Sequence, residues 1–320
     1  MKRLFFVLSS LWNKPTARLA AGFLFCVLTL GLFAPVLPLA DPSAIDLGNK
    51  FISPCSAHWL GTDALGRDIF SRLIWGIRSS VYTALVATLL TALFGTLWGL
   101  VSAAANRQTD ELMMRFCDLW MSFPSEVMIL AMVGLLGPGI ENIIIGCLVA
   151  KWPWYARMIR SLAKRIQNSA FIRFSLVNNA DRRWILTRHL FPNVLADFFV
   201  LATLDTGSVI LMISSLSFLG LGVSAPTAEW GMMLAEAKNV MTLYPWQMLP
   251  AGLMILCTVV ALHFVGDALS HVFEPKQRAS SHGGFSERYK PSSEKSHRGQ
   301  KSQDRAPRQS TIRHSQRRRF

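Results

Sequence analysis

Four ionisable residues interrupt stretches that are otherwise apolar: Glu126, Lys151, Asp205 and Asp267. Charge in hydrocarbon is costly, so such residues mark an ion or substrate path, a proton relay or a buried pair. Glu126 and Asp205 are the pathway candidates. Lys151 and Asp267 stand near span ends, where a side chain can reach the interface. His263 and 13 methionines offer soft metal donors, but methionines scattered over apolar segments read as packing. Five cysteines form no C-x-x-C pair, so neither a zinc site nor a disulfide framework is indicated. No G-x-x-x-x-G-K-S/T occurs, so the chain does not cradle nucleotide phosphates by that device. The chemistry on offer is passage and binding.

Two further segments carry more than hydrophobicity. Residues 61–73 include Gly61, Thr62, Asp63, Gly66, Arg67, Asp68 and Arg72. Thr62 or Asp63 is placed to cap a helix, and Asp63–Arg67 and Asp68–Arg72 have the i,i+4 spacing of ion pairs. Leu65, Ile69 and Leu73 repeat every four residues. The pattern predicts a short amphipathic helix at the outer interface, acting as a connector, a gate or a docking element. Residues 171–193 are basic, and Asn178-Asn179 divides them into two helical pieces, with Asp181 capping the second. That second piece carries Trp184, Ile185, Arg188 and His189 and ends at Pro192. A basic helix–turn–helix beneath a membrane binds anionic lipid, or docks a protein through Trp184 and Ile185. Both readings stand.

The elements that position these residues follow from where charge is missing. The 320 residues are 51% hydrophobic and 16% charged, with a net charge of +14, against about 25% charged in ordinary soluble domains. Runs without a charged side chain cover Leu19–Ala40, Ser79–Asn106, Thr206–Ala228 and Asn239–Gly266. A bilayer core takes about 20 apolar residues of helix, and all four runs are long enough. Two weaker candidates lie between them, one broken by Pro124 and Glu126, the other by Lys151 and Pro153. The expectation is an all-α, polytopic membrane protein with six transmembrane helices near 19–40, 79–106, 117–137, 140–157, 195–222 and 246–271, because backbone in hydrocarbon must pair internally. The first run exceeds the usual length of a signal-peptide core and has no clear cleavage site, so it reads as a retained anchor.

Basic residues crowd the N-terminus (1–18) and the stretch Arg157–Arg188, which holds eight bases and one acid. The positive-inside rule makes both cytoplasmic, and six spans bring the C-terminus to the same side. Residues 276–320 hold 13 Lys and Arg against three acids, a net of +10. That tail lacks the apolar side chains needed to offset ordering, so it is expected to be disordered, outside a permease domain at 19–275.

His58-Trp59-Leu60-Gly61-Thr62-Asp63 with Gly66-Arg67-Asp68-Ile69-Phe70-Ser71-Arg72-Leu73 resembles the external signature of inner-membrane permeases from peptide and nickel ABC importers. Phe171–Asn193 resembles the cytoplasmic coupling region of that family. Ser217–Gly222 followed by Ala225–Gly231 resembles its fifth-span exit, and Gly266-Asp267-Ala268-Leu269 its terminal signature. The motifs occur in the family's order over roughly residues 15–275. Trp154–Leu162, Leu201–Asp205 and Ala225–Gly231 look most like the nickel-transport C-subunit branch. Phe174-Ser175 stand where the family has small residues, and Asn179 where it has glycine; Asn supports that turn less freely.

The resemblance implies an ABC importer permease fold and a non-catalytic subunit with no cofactor and no metal site of its own. It also implies a heterodimer with a second permease subunit, two cytoplasmic ATPases, an extracytoplasmic substrate-binding protein and a bacterial inner membrane. The region 158–193 would couple to the ATPases, with Phe171, Ser175, Asn179, Ala180, Trp184, Ile185, His189 and Pro192 as contact or bend positions. Cargo would be nickel, held by a chelator, or a dipeptide or oligopeptide. An ion-coupled secondary transporter using Glu126, Asp205 and Asp267 is the competing class, disfavoured by the lack of an evident inverted repeat. The basic tail suggests many anions without specific nucleic-acid recognition.

Overall fold

A computed structural model of the chain describes residues 15–169, 172, 184, 188 and 190–273. Its helices are α1 (Pro15–Phe33), α2 (Ile69–Ile77), α3 (Thr83–Ala104), α4 (Arg107–Trp120), α5 (Ser125–Leu136), α6 (Ile140–Gln167), α7 (Phe191–Phe218), α8 (Trp230–Lys238) and α9 (Leu249–Phe273). Among the described residues the only strand-like pairing is an isolated bridge between Thr62 and Asp68.

The helix expected to lie at the interface does not start at Thr62 or Asp63. Asp68 is the cap, its Oδ2 accepting the Ser71 amide at 2.6 Å. Seven of the nine residues of α2 are buried. A π turn at Arg78–Tyr82 carries α2 into α3, so that Ile69–Ala104 forms one helical run of 36 residues. The amphipathic segment is therefore the head of a span. The extra residue of a π turn rotates side chains off the regular ladder. Here it aims Ser79 and Ser80 at the segment before α8, where Ser79 donates to the Ala228 carbonyl and Ser80 to Glu229.

Among the described residues four helical stretches are long and apolar enough to cross a membrane: Pro15–Phe33, Ile69–Ala104, Phe191–Phe218 and Pro245–His271. α4 and α5 make a fifth if the pair crosses as one, bent by 70°. Pro124 sits at that break, with no amide to give and no room for a helical residue before it. The stretch expected at 140–157 falls within α6, a 28-residue helix that also carries Lys151, Arg157, Arg160 and Lys164.

Close packing of α3 on α6 comes from missing side chains. A Cβ on Gly95 would stand 2.5 Å from the Trp152 carbonyl oxygen, and one on Gly99 2.5 Å from that of Ala156. Gly95-x-x-x-Gly99, continued by the buried Ala103, is the small-residue seam by which helices approach in lipid. A larger core joins α1, α2, α3 and α5–α9 around Ile77, Ile129, Ile210, Ile213 and Trp230. Leu19, Phe25, Leu93, Leu97 and Leu253 point outward from these helices and are exposed. An apolar exterior of this kind fits hydrocarbon as its solvent.

Candidate functional site

The segment 58–72 closes on itself before it closes on the rest of the chain. Gly61 and Gly66 both have φ of +75°, which side chains disfavour. A Cβ would meet the Ile52 carbonyl oxygen at 2.4 Å in the first case and that of Asp46 at 1.7 Å in the second. Thr62 donates through Oγ1 to the Asn49 carbonyl at 2.5 Å and accepts the Ile52 amide at 2.8 Å. Asp63 accepts the amides of Leu65 and Arg67 through Oδ1, at 2.8 and 2.9 Å, and Arg67 Nε through Oδ2 at 2.7 Å. His58 Nδ1 lies 2.9 Å from Asp68 Oδ1.

Arg67 and Arg72 then reach across to α8. Both donate through Nη2 to Glu236 Oε2, at 2.7 and 2.9 Å, although the two side chains are only 2% and 1% exposed. Arg72 Nη1 lies 3.5 Å from Asp63 Oδ2 and has no hydrogen-bond partner among the described residues. The Asp68–Arg72 pair expected from spacing is thus replaced, because Asp68 is engaged by the helix cap and His58. Two guanidinium groups taken out of water need matching carboxylates, and Asp63 and Glu236 supply one each. A cavity of about 170 Å³ remains among Asp63, Arg67, Arg72, Met233, Glu236 and Gln247.

A second buried network lies beneath the clasp. Glu229, fully buried, caps α8 by accepting the Met232 amide at 2.8 Å and accepts Ser80 Oγ at 2.9 Å. Trp230 donates its indole N–H to the Leu73 carbonyl at 2.9 Å, over the space that Gly76 leaves open.

Of the pathway candidates, Asp205 is engaged and Glu126 is exposed. Asp205 on α7 accepts Lys151 from α6 through Oδ1 and the Tyr155 hydroxyl through Oδ2, the latter at 2.8 Å. Lys151 is therefore held in a half-buried pair, where snorkelling was expected. Glu126 stands in the first turn of α5 and is exposed. Asp267 and His263 are exposed on α9, with His263 Nδ1 2.8 Å from the Val259 carbonyl. Among the described residues no three His, Cys, Asp or Glu side chains converge as a metal would require.

At the other end of the α2–α3 run, Asp110 of α4 accepts Arg160 through both oxygens, at 2.6 and 2.7 Å, and Ser102 Oγ at 2.6 Å. Lys164 adds a contact at 3.3 Å. The bond from Arg160 holds the Asp110 carboxyl well below the usual carboxylate range against the opposing effect of burial; Ser102 and Lys164 lower it further. Of the expected coupling residues, Phe171, Ser175, Asn179, Ala180, Ile185 and His189 lie outside the described residues. Trp184 is 47% exposed. Pro192, expected to end a helical piece, stands in the first turn of α7, where a missing amide costs nothing.

Glu236 and Asp110 are the ion-pair partners that local sequence patterns do not reveal. Glu229 and Glu236 are the only acids between Asp205 and Asp267, which marks them as partners for buried bases. The G-x-x-x-G spacing at 95–99 was a second available signal.

Residues 95–279 match the family described as "Binding-protein-dependent transport system inner membrane component". The chain is 40% identical over 271 residues to "Nickel transport system permease protein NikC" of Escherichia coli (strain K12), spanning 84% of this chain and 96% of that one. It is 40% identical over 270 residues to "Metal-staphylopine import system permease protein CntC" of Staphylococcus aureus (strain NCTC 8325 / PS 47), spanning 84% and 93%. Identity to "Probable D,D-dipeptide transport system permease protein DdpC" of Escherichia coli (strain K12) is 34% over 264 residues, spanning 82% and 89%. With its apolar helices, its close-packed seam and these relatives, the chain belongs to the inner-membrane permeases of ABC importers, as a multi-pass, non-catalytic subunit of the nickel and peptide branch.

Proposed function

We propose that this chain forms half of the passage of an ATP-driven importer whose cargo is nickel held by a chelator. The observation that carries the cargo class is the rank of relatives: two permeases named for metal import, from two organisms, stand at 40% identity, ahead of a dipeptide permease at 34%. The passage is shared with a second permease subunit, cargo is delivered by a substrate-binding protein, and two ATPases dock at 158–193. The N-terminus, that region and the tail at 276–320 are cytoplasmic, which puts the contacts of Arg67 and Arg72 with Glu236 on the outer side and the Asp110–Arg160 pair on the inner. Asp205, with Lys151, gives the passage a neutralised charge, since an unpaired one would trap or repel a charged cargo.

Cells with and without the chain, given radiolabelled nickel or a labelled dipeptide, test the cargo. Nickel accumulation that depends on the chain and stops on ATP depletion is expected. Dipeptide accumulation alone would establish the second reading, a peptide permease, which the 34% relative favours.

A further inference from the structure

The basic tail at 276–320 is the largest feature that the importer reading leaves without a role. The family match ends at residue 279, and the tail lies outside the described residues. Its point of departure is fixed by the helices. Gln247, just before α9, donates to the Thr62 carbonyl at 3.2 Å, so α9 begins beside the contacts of Arg67 and Arg72 with Glu236. Further along, a Cβ on Gly207 of α7 would meet His263, and one on Gly266 would meet Leu204. α9 therefore runs antiparallel to α7 and finishes, at Phe273, near the level where α7 starts.

The same face collects the other bases. Gln167, at the end of α6, donates to the Ala103 carbonyl near the end of α3 at 2.9 Å. Leu190, just before α7, packs with Leu100 and Ala103 of α3 and Ala163 of α6. The Tyr82 hydroxyl donates to the Leu28 carbonyl and Gly31 packs on Ile77, so α1 runs antiparallel to the α2–α3 run and starts towards that face. Residues 1–18 bring four bases and no acid, Arg157–Arg188 eight bases and one acid, and 276–320 thirteen bases and three acids. An apolar bundle with one basic face is matched to a bilayer with an anionic surface.

Within the tail, eleven bases from Arg288 to Arg319 recur at intervals of five residues or fewer, with Glu294 and Asp304 the acids among them. A surface potential falls off within a Debye length, about 8 Å at physiological salt, and a chain lying along a charged plane is held wherever a base recurs. Attachment to a span keeps these bases at high effective concentration beside headgroups. A nucleic acid in solution has no such advantage.

We propose that the tail binds the anionic phospholipid headgroups of the leaflet from which it emerges, a second attachment of this chain to the membrane beside its spans. The contact is electrostatic, graded by lipid charge and by salt, and independent of what the importer carries.

The test uses the complete importer in nanodiscs of phosphatidylcholine, alone or mixed equally with phosphatidylglycerol. It follows tryptic cleavage after the bases at 288–319 relative to cleavage after Arg107, which is 89% exposed on the same face. A base near an anionic surface contributes roughly fivefold in affinity, so the mixed discs are expected to slow tail cleavage at least about tenfold. At about 1 M salt, where the Debye length is about 3 Å, the two kinds of disc are expected to agree. A variant carrying Arg313→Gln, Arg317→Gln, Arg318→Gln and Arg319→Gln is expected to lose most of the protection at 288–308. Equal cleavage in both discs at about 0.1 M salt overturns the proposal. So does protection that persists in both discs at about 1 M salt, which would place the tail on protein. Protection by poly(U) in phosphatidylcholine discs, with none from phosphatidylglycerol, would make nucleic acid the partner and overturns it as well.

Discussion

The indole N–H of Trp120 donates a 2.7 Å hydrogen bond to the Val149 carbonyl, the acceptor that Pro153, four residues on, cannot serve. The end of α4 thereby completes the ladder of α6 in the turn that carries Lys151. Trp120→Phe keeps the ring and removes the donor. It is expected to cost about 1–3 kcal/mol, the penalty for a buried unpaired carbonyl, read as lowered thermal stability of the purified importer in detergent. An unchanged melting curve would show that solvent already serves Val149.

The seam between α3 and α6 makes a sharper prediction. Gly99→Ala puts a Cβ against the Ala156 backbone, which cannot rotate away, and is expected to cost about 1–3 kcal/mol. Gly134→Ala on α5 meets nothing within 4 Å and should be neutral or stabilising by up to about 1 kcal/mol. Equal effects of the two would refute close packing at Gly99.

Lys151 and Asp205 are expected to behave as a unit. Removing one member strands a charge, at about 3–5 kcal/mol, while replacing both by apolar residues recovers most of the loss. Lys151→Met should therefore be less stable than Lys151→Met with Asp205→Leu. If the double variant folds yet carries no cargo, the pair serves passage; full uptake by the double variant would confine it to stability.

Asp110 predicts a pH dependence with a definite sign. A carboxyl held low in the folded state adds stability above its unfolded value, about 4, and loses that contribution as pH falls through the folded one. Asp110→Asn should be less stable than the parent chain at pH 7, with the gap narrowing below about pH 4. A gap that stays constant down to pH 3 would mean that the bond from Arg160 does not favour the ionised form.

Trp184 tests the proposed docking of ATPases at 158–193. Trp184→Ala is expected to reduce uptake and ATPase co-purification at least about tenfold, as loss of an aromatic anchor does, with membrane insertion intact. Unchanged uptake together with unchanged co-purification would remove Trp184 from the interface.

What was legible in the sequence was whatever depends on composition along a continuous stretch. The uncharged runs Leu19–Ala40 and Ser79–Asn106 fall on α1 and α3, since avoidance of charge in hydrocarbon leaves a long mark. The Asp63–Arg67 pair was legible because both partners lie on one turn. The head of the second span was misread: a helix starting at Thr62 or Asp63 is interrupted by Gly66 at positive φ, and Asp68, placed in the i,i+4 pattern with Arg72, instead caps the helix that begins after it. Arg72 finds Glu236 at a separation of 164 residues, and Asp110 finds Arg160 at 50. No local pattern encodes such pairs, which arise only once helices are placed side by side. Lys151 was assigned to the interface for the same reason, its partner being on another helix.

The separation of Arg72 from Glu236 has a consequence for how the chain is made. At about 5–20 residues per second, the 164 residues between them take on the order of ten seconds or more to emerge. Until then neither Arg67 nor Arg72 has its α8 acceptor, and burying two guanidinium groups early would leave them short of counter-charge. For that interval Asp63 is the one carboxylate already made among those that face the two guanidinium groups in the folded chain. Glu236 is thus the late-made half of the charge balance around the first loop.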